Sequence, residues 1–230
     1  MDCVRLDGVS TLLPSLTPLQ QLRAGRLPRR LVQLYAGLVL YGFSMAMVIE
    51  AGLGLDPWDV LHQGLAEQLA WSFGAVTIVV GALVLLLWVP LRQWPGLGTV
   101  SNVVVIGLAV DAGLAVLPPV ESLPVRTALL LGGVLANGLA GAAYLGSSFG
   151  AGPRDGLMTG LVTRTGRSVR LVRTCLELTV LALGVLLGGT VGVGTVLYAV
   201  AIGPLVQLFL PLVAVALPAP TPEVPADLVP

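Results

Sequence analysis

Six predominantly apolar stretches of about twenty residues, the length that crosses a hydrocarbon core, run through the chain. They are Leu31–Ala51, Phe73–Leu91, Gly98–Leu117, Val125–Ser147, Val169–Gly188 and Thr195–Leu217. Each reads as a membrane helix. Between the first two, polar residues return with helical spacing: Trp58, Leu61, Leu65 and Leu69 fall on one face, with Asp59, His62, Gln63 and Glu67 elsewhere, which predicts a short amphipathic helix. Asp56 suits its cap, Pro57 its first position and Asp59 its first turn, where the helix dipole favours an anion. Fourteen such residues reach only about 21 Å, short of a core of about 30 Å. The segment is therefore either re-entrant, lining a wet site, or an interfacial flap lying on headgroups.

The pattern then repeats. Gly54, Pro57, Asp59, Leu61, Gly64 and Leu65 return as Gly150, Pro153, Asp155, Leu157, Gly160 and Leu161, at one offset of 96 residues. The same offset carries Gly96, Gly98, Thr99 and Val100 onto Gly192, Gly194, Thr195 and Val196. Two separated motifs in one register imply a duplicated unit. Three long runs per copy make an odd number of crossings, so the second copy would enter the bilayer from the opposite face. The expected fold is all-α: a polytopic membrane bundle of six transmembrane helices in two inverted three-helix repeats, each with a short interfacial or re-entrant helix. The chain divides into an N-terminal cytoplasmic segment (1–30), repeat one (31–120), repeat two (121–217) and a disordered Pro-rich tail (218–230).

Composition fixes the solvent. With 56% hydrophobic residues, 10% charged and a mean hydropathy of +0.94, the chain belongs in a lipid bilayer. Zero net charge argues against a nucleic-acid partner, since phosphate neutralisation needs a basic excess. All twelve basic residues are arginines. Arg5, Arg23, Arg26, Arg29 and Arg30 precede the first span, Arg92 follows the second, and Arg154, Arg164, Arg167, Arg170 and Arg173 surround the fourth-to-fifth connection; only Arg126 lies opposite. This bias predicts cytoplasmic termini and an outward-facing 52–72 segment. The acidic segment of copy one (Asp56, Asp59, Glu67) also answers an arginine-rich one in copy two, as inversion requires. Cys3 and Cys175 offer neither a disulfide framework nor a zinc site.

The polar residues supply candidates. Asp59 and Asp155, with Pro57, Pro153 and Arg154 beside them, are either helix-start residues or ligand contacts. Gly98-Thr99 and Gly194-Thr195 suit a sharp turn into each repeat's last helix, with Thr bonding a free amide. Asp111, within the third span, is a candidate proton or cation site, or else reaches interfacial water. Arg173 and Glu177 are spaced for an ion pair. Asn102, Asn137 and Gln207 suit hydrogen bonds across helices. His62 is the single histidine and has no partner set for a metal or a catalytic triad. Phosphate-cradling motifs are missing as well. No catalytic residue, metal or cofactor is expected, and the protein is not read as an enzyme.

The segments running from Gly52 through Asp56-Pro57-Trp58-Asp59 to Leu65, from Ser72 to Thr77, from Gly96 to Thr99 and from Gly150 through Pro153-Arg154-Asp155 to Gly160 resemble the bacterial YczE/YitT-type integral membrane proteins, the YczE branch most closely. The resemblance covers roughly residues 26–210 and implies a multi-pass protein of the bacterial plasma membrane. It supplies no catalytic residue set.

Two functions are expected in turn. The first is a permease for a small molecule or ion, with Pro57, Asp59, Pro153, Asp155 and Arg154 framing the site and Asp111 as coupling-ion ligand. The alternative is a non-catalytic accessory or substrate-binding subunit of a larger membrane complex. Helix faces rich in small residues would serve a homodimer or partner as readily as internal packing.

Overall fold

The computed structural model describes residues 17–217, where no strand occurs. Expectations for Cys3, Arg5 and the Pro-rich tail lie outside the described residues. After a short α1 (Pro18–Arg23) come α2 (Leu27–Ala51), α3 (Pro57–Leu69), α4 (Phe73–Leu91) and α5 (Leu97–Val116). Then follow α6 (Leu123–Gly146), α7 (Pro153–Thr165), α8 (Val169–Leu186) and α9 (Val193–Val213). From α6 onward each helix starts 96 residues after its counterpart among α2 to α5.

Five helices, α2, α4, α5, α6 and α9, are long and apolar enough to cross a membrane. The fifth expected span, α8, is not among them: its 18 residues include Arg170, Arg173 and Glu177. The last span also stops at Val213 rather than Leu217, because the Val215 N–H turns away to bond Gly146 O at 3.1 Å.

Helices α2 and α6 form the central pair and run antiparallel. Gly37, early in α2, faces Ala140 and Tyr144 late in α6; Gly133, early in α6, faces Ser44 and Val48 late in α2. A Cβ on Gly37 would lie 3.0 Å from Tyr144 N, so the missing side chain lets the backbones close. Helix α5 packs on α2, and α9 on α6. The short helices pack across the two copies, α3 on α8 and α7 on α4. Bulk is exchanged between those two contacts. Gly184 of α8 admits the Val60–Leu61 backbone, whereas Trp88, at the matching place on α4, lies against Gly156 of α7 and donates its indole N–H to Pro153 O at 3.0 Å.

One expectation about α3 fails. Its buried residues are Trp58, Asp59, Val60, His62 and Gly64, while Leu69 is exposed. The helix is not a flap resting an apolar face on headgroups. It is held inside the protein, where Gly64 lets α8 approach to within a Cβ of Gly184 O and Leu187, and its polar side is satisfied internally.

The two copies differ at one seam. Helix α4 packs on α5, with Gly74 and Gly107 back to back. Helices α8 and α9 do not pack on each other in the same way, and Gly203, the counterpart of Gly107, has nothing within 4 Å.

Candidate functional site

Each short helix is launched by a joint built from both copies. Gly54 (φ +109°) and Gly150 (φ +108°) hold a backbone conformation that L side chains rarely adopt. Leu53 O accepts from Gly194 N–H at 2.7 Å, and its counterpart Phe149 O accepts from Gly98 N–H at 2.9 Å. Thr99 Oγ1 accepts from Gly96 N–H and donates to Ala151 O; Thr195 Oγ1 accepts from Gly192 N–H. The Gly-Thr motifs thus serve as joints between copies as well as turns.

A second pair of joints went unread in the sequence. Arg30 Nε donates to Ser147 O at 2.8 Å and Nη2 to Ser148 O at 2.9 Å. Arg126, 96 residues on, donates from Nε to Ala51 O and from Nη2 to Gly52 O, both at 2.7 Å. Each guanidinium satisfies the orphan carbonyls that end the other copy's first helix. Arg126 looked like the exception to the charge bias. Its register with Arg30 was the signal for its role.

These joints aim the starts of α3 and α7 at a cavity of about 520 Å³ between the copies. Its wall is made of matched positions: Tyr41 with Asn137, Asn102 with Tyr198, Pro57 with Pro153, and Trp58 with Arg154. The last pair meets directly. The Arg154 guanidinium lies 5.7 Å from the Trp58 ring, its Nη1 donates to Asp56 Oδ1 at 3.5 Å and its Nη2 to Tyr41 OH at 3.3 Å. Behind them Tyr198 OH donates to Asn137 Oδ1 at 2.7 Å, and Asn137 Nδ2 to Ser44 Oγ at 2.8 Å. A buried amide with both ends satisfied fixes the wall.

Electrostatics divide the two short helices. Asp56 Oδ1 caps α3, accepting from the Trp58 and Asp59 N–H groups at 2.8 and 3.0 Å. Helix α7 has Gly152 at that position and no side-chain cap. Burial and the neighbouring Asp59 push the Asp56 carboxyl above its ordinary range, against the pull of Arg154. Burial disfavours the Arg154 charge, but Asp56 and the surrounding tyrosines hold the guanidinium firmly protonated. Asp59 is pushed up to about 6 by burial, with Arg154 opposing. Burial and then Arg154 drive His62 down to about 3. The 3.2 Å contact between His62 Nδ1 and Asp59 Oδ1 is therefore a hydrogen bond from a neutral imidazole, not an ion pair.

Of the residues singled out in the sequence, Pro57, Pro153, Arg154 and Asp155 line the cavity, while Asp59 sits one layer back beside the lining His62. Asp111 stands apart at the start of α4, where its oxygens accept from Ser72 Oγ at 2.6 Å and Gly74 N–H at 2.7 Å. The expected Arg173–Glu177 ion pair is not formed. Among the described residues the one ion pair within 4 Å, apart from the neutral His62–Asp59 contact, is Asp56–Arg154. Both Arg173 and Glu177 line the cavity instead, in the less favourable Arg-before-Glu order. Tyr41, Asn137 and Tyr198 complete the site.

Comparison with known proteins agrees with this picture of a membrane bundle. Residues 28–211 match the model of a family of unknown function, DUF6198. An uncharacterized protein of Haemophilus influenzae is 42% identical over 177 residues, 77% of this chain and 81% of its own. The uncharacterized membrane protein YczE of Bacillus subtilis is 34% identical over 179 residues, 77% of this chain and 83% of its own. A third relative, the uncharacterized protein YyaS of Bacillus subtilis, is 26% identical over 181 residues, covering 77% of this chain and 90% of its own. No solved structure matches. The chain belongs to the DUF6198 family, and its YczE-type resemblance holds.

Proposed function

From membership of this membrane-protein family, we propose a six-span permease of inverted-repeat design that binds a small molecule at the central cavity. One observation carries the reading: the cavity is walled by equivalent residues of the two copies, with Trp58 and Arg154 meeting on its wall. The antiparallel α2–α6 pair and the exchanged α3–α8 and α7–α4 contacts support inversion. Helix α8 would be the sixth span, with Arg173 and Glu177 turned toward water in the cavity rather than toward lipid and Arg170 in its first turn at the membrane surface. On this reading both termini face the cytoplasm at the bacterial plasma membrane. The substrate leaves chemically unchanged, because the site offers a binding wall and no nucleophile set.

In transporters of this design, interrupted helices near the repeat interface frame the substrate, and one repeat rocks against the other. Here the starts of α3 and α7 supply the frame. Arg154 is the fixed charge, Asp56 its counterion, and Tyr41, Asn137 and Tyr198 the hydrogen-bonding wall.

Thermal unfolding of the detergent-purified protein against a panel of metabolites and ions tests the site, since a ligand of the native state raises its stability by mass action. The expected result is a hit that Arg154→Gln abolishes, followed by uptake of that compound into liposomes holding the protein alone. A hit that never leads to uptake would hand the reading to an accessory, substrate-capturing subunit.

A further inference from the structure

Residues of both α8 and α9 line the cavity, and these two helices do not pack closely on each other. In copy one the equivalent seam is shut. Asp111 on α5 accepts hydrogen bonds from Ser72 and Gly74 of α4, and the Gly74 and Gly107 backbones touch. In copy two the same positions carry Gln207, Ser168, Arg170 and Gly203. Gln207 is exposed, and Gly203, mid-way along α9, has nothing within 4 Å. The lock cannot form there: a glutamine stands where the carboxylate would be, and an arginine side chain occupies the place of the glycine that lets the helices touch. Both helices nevertheless line the cavity, through Leu176 and Glu177 on one side and Ala199, Ile202 and Gly203 on the other.

The gap has a polarity gradient. Arg173 and Glu177 lie in the first half of α8, and Gln207 lies in the last third of the following helix, so in this helical hairpin the three share one end of the seam. Toward the other end α9 presents Ile202 and Ala199. The outer faces beside it are apolar and exposed, with Leu178 and Val200 among them. Such a slot suits a molecule with the same gradient. Its charged head would sit among Arg173, Glu177 and Gln207, and its chain would lie between the helices in contact with lipid.

The geometry points to a lateral portal between α8 and α9 that admits a single-chain amphiphile with a charged headgroup from the bilayer into the central cavity. This rests on the permease reading for the cavity and on α8 as a span, and it names the substrate class of that site. A soluble solute would need no gap at mid-depth of α9, and a gap there opens onto hydrocarbon.

The test uses the full chain in phosphatidylcholine vesicles and a lysophospholipid carrying a diazirine at mid-chain. After photolysis, mass spectrometry should find label on Leu176 or Ile202 inside the seam, together with unspecific label on the exposed Leu178 and Leu212. Gly203→Phe puts bulk into the gap from a position where an added Cβ meets nothing within 4 Å, and Ala199→Phe is the second variant. Either should retain the wild-type melting temperature and the outer label while losing the inner label. Inner label that persists in both variants overturns the portal. So does its absence from the wild type while a membrane-impermeant thiosulfonate modifies Ala199→Cys, which would make the seam an aqueous gate. Labelling reads occupancy and not transport. Inner label without uptake would therefore sink the permease reading and leave the portal standing, whereas uptake of a soluble solute without inner label would do the reverse.

Discussion

Helices α4 and α5 come from the same duplicated pattern as α8 and α9, yet one pair is locked and the other stands apart. In the locked pair a carboxylate on α5 satisfies Ser72 and a free amide at the start of α4, and two glycines remove the bulk between the helices. In the open pair glutamine and arginine replace the carboxylate and one glycine, and the remaining glycine faces empty space. The short helices differ in the same sense: α3 carries its own anionic cap in Asp56, and α7 starts at Gly152. Three substitutions at matched positions thus turn a repeated scaffold into an asymmetric one. The shared helices set the frame, and these departures give the cavity one closed flank and one open flank.

The largest effect is expected from Asp56→Ala, which removes the cap of α3 and leaves the Arg154 charge without its partner. Losing the cap together with a charged hydrogen bond to a half-buried arginine should cost about 2–4 kcal/mol, whereas Gly152→Ala at the matching place, where a Cβ meets nothing closer than 3.5 Å, should leave thermal unfolding in detergent within about 0.5 kcal/mol of wild type. Equal losses in both variants would remove the distinction between the two helix starts.

A pH effect follows next in size. Asp59 titrates at 3.8 in the unfolded chain and about 6 in the fold, so the fold prefers its protonated form. The stability this contributes, about 3 kcal/mol, is complete below about pH 4 and is lost as pH rises through about 6. Asp59→Asn should flatten that part of the melting-temperature profile; an unchanged slope would mean that Asp59 ionises freely.

Asp111→Ala should cost about 1.5–3 kcal/mol through the two charged hydrogen bonds it deletes, while Gln207→Ala should cost almost nothing. Gly107→Ala brings a methyl to 2.5 Å from Ile78 Cγ1 and 2.7 Å from Gly74 O, an overpacking worth about 1–3 kcal/mol. Gly203→Ala should melt with the wild type. A matched drop in both alanine variants would show that the α8–α9 seam closes in solution.

Much of the fold was legible because lipid enforces a narrow grammar: long apolar runs must be helices, and their bounds came out within a few residues. The Asp56-Pro57 start of α3 was legible for the same local reason, since a cap and a proline at the first position act within one turn. The burial of α3 was not. Trp58, Leu61, Leu65 and Leu69 look like a lipid-facing stripe in isolation, but Gly64 and Gly184 draw α8 onto the helix, and Trp58 is buried along with Asp59 and His62. Arg173 and Glu177 were spaced for each other and face the cavity, because helical spacing permits a pair without requiring one.

Hydropathy and a fixed 96-residue register are properties of the chain alone, and they are enough to specify a membrane bundle with two copies of one helical pattern. Local motifs also singled out Pro57, Pro153, Arg154 and Asp155, which the fold brings to the wall of one cavity. Only the tertiary structure decided that Trp58 and Arg154 face each other, that Arg30 and Arg126 each close the other copy's helix, and that Asp111 locks a seam while Gln207 leaves its counterpart open. Those relations join residues tens to more than a hundred positions apart. They depend on how helices pack across the two copies, which no local pattern of apolar and polar positions encodes.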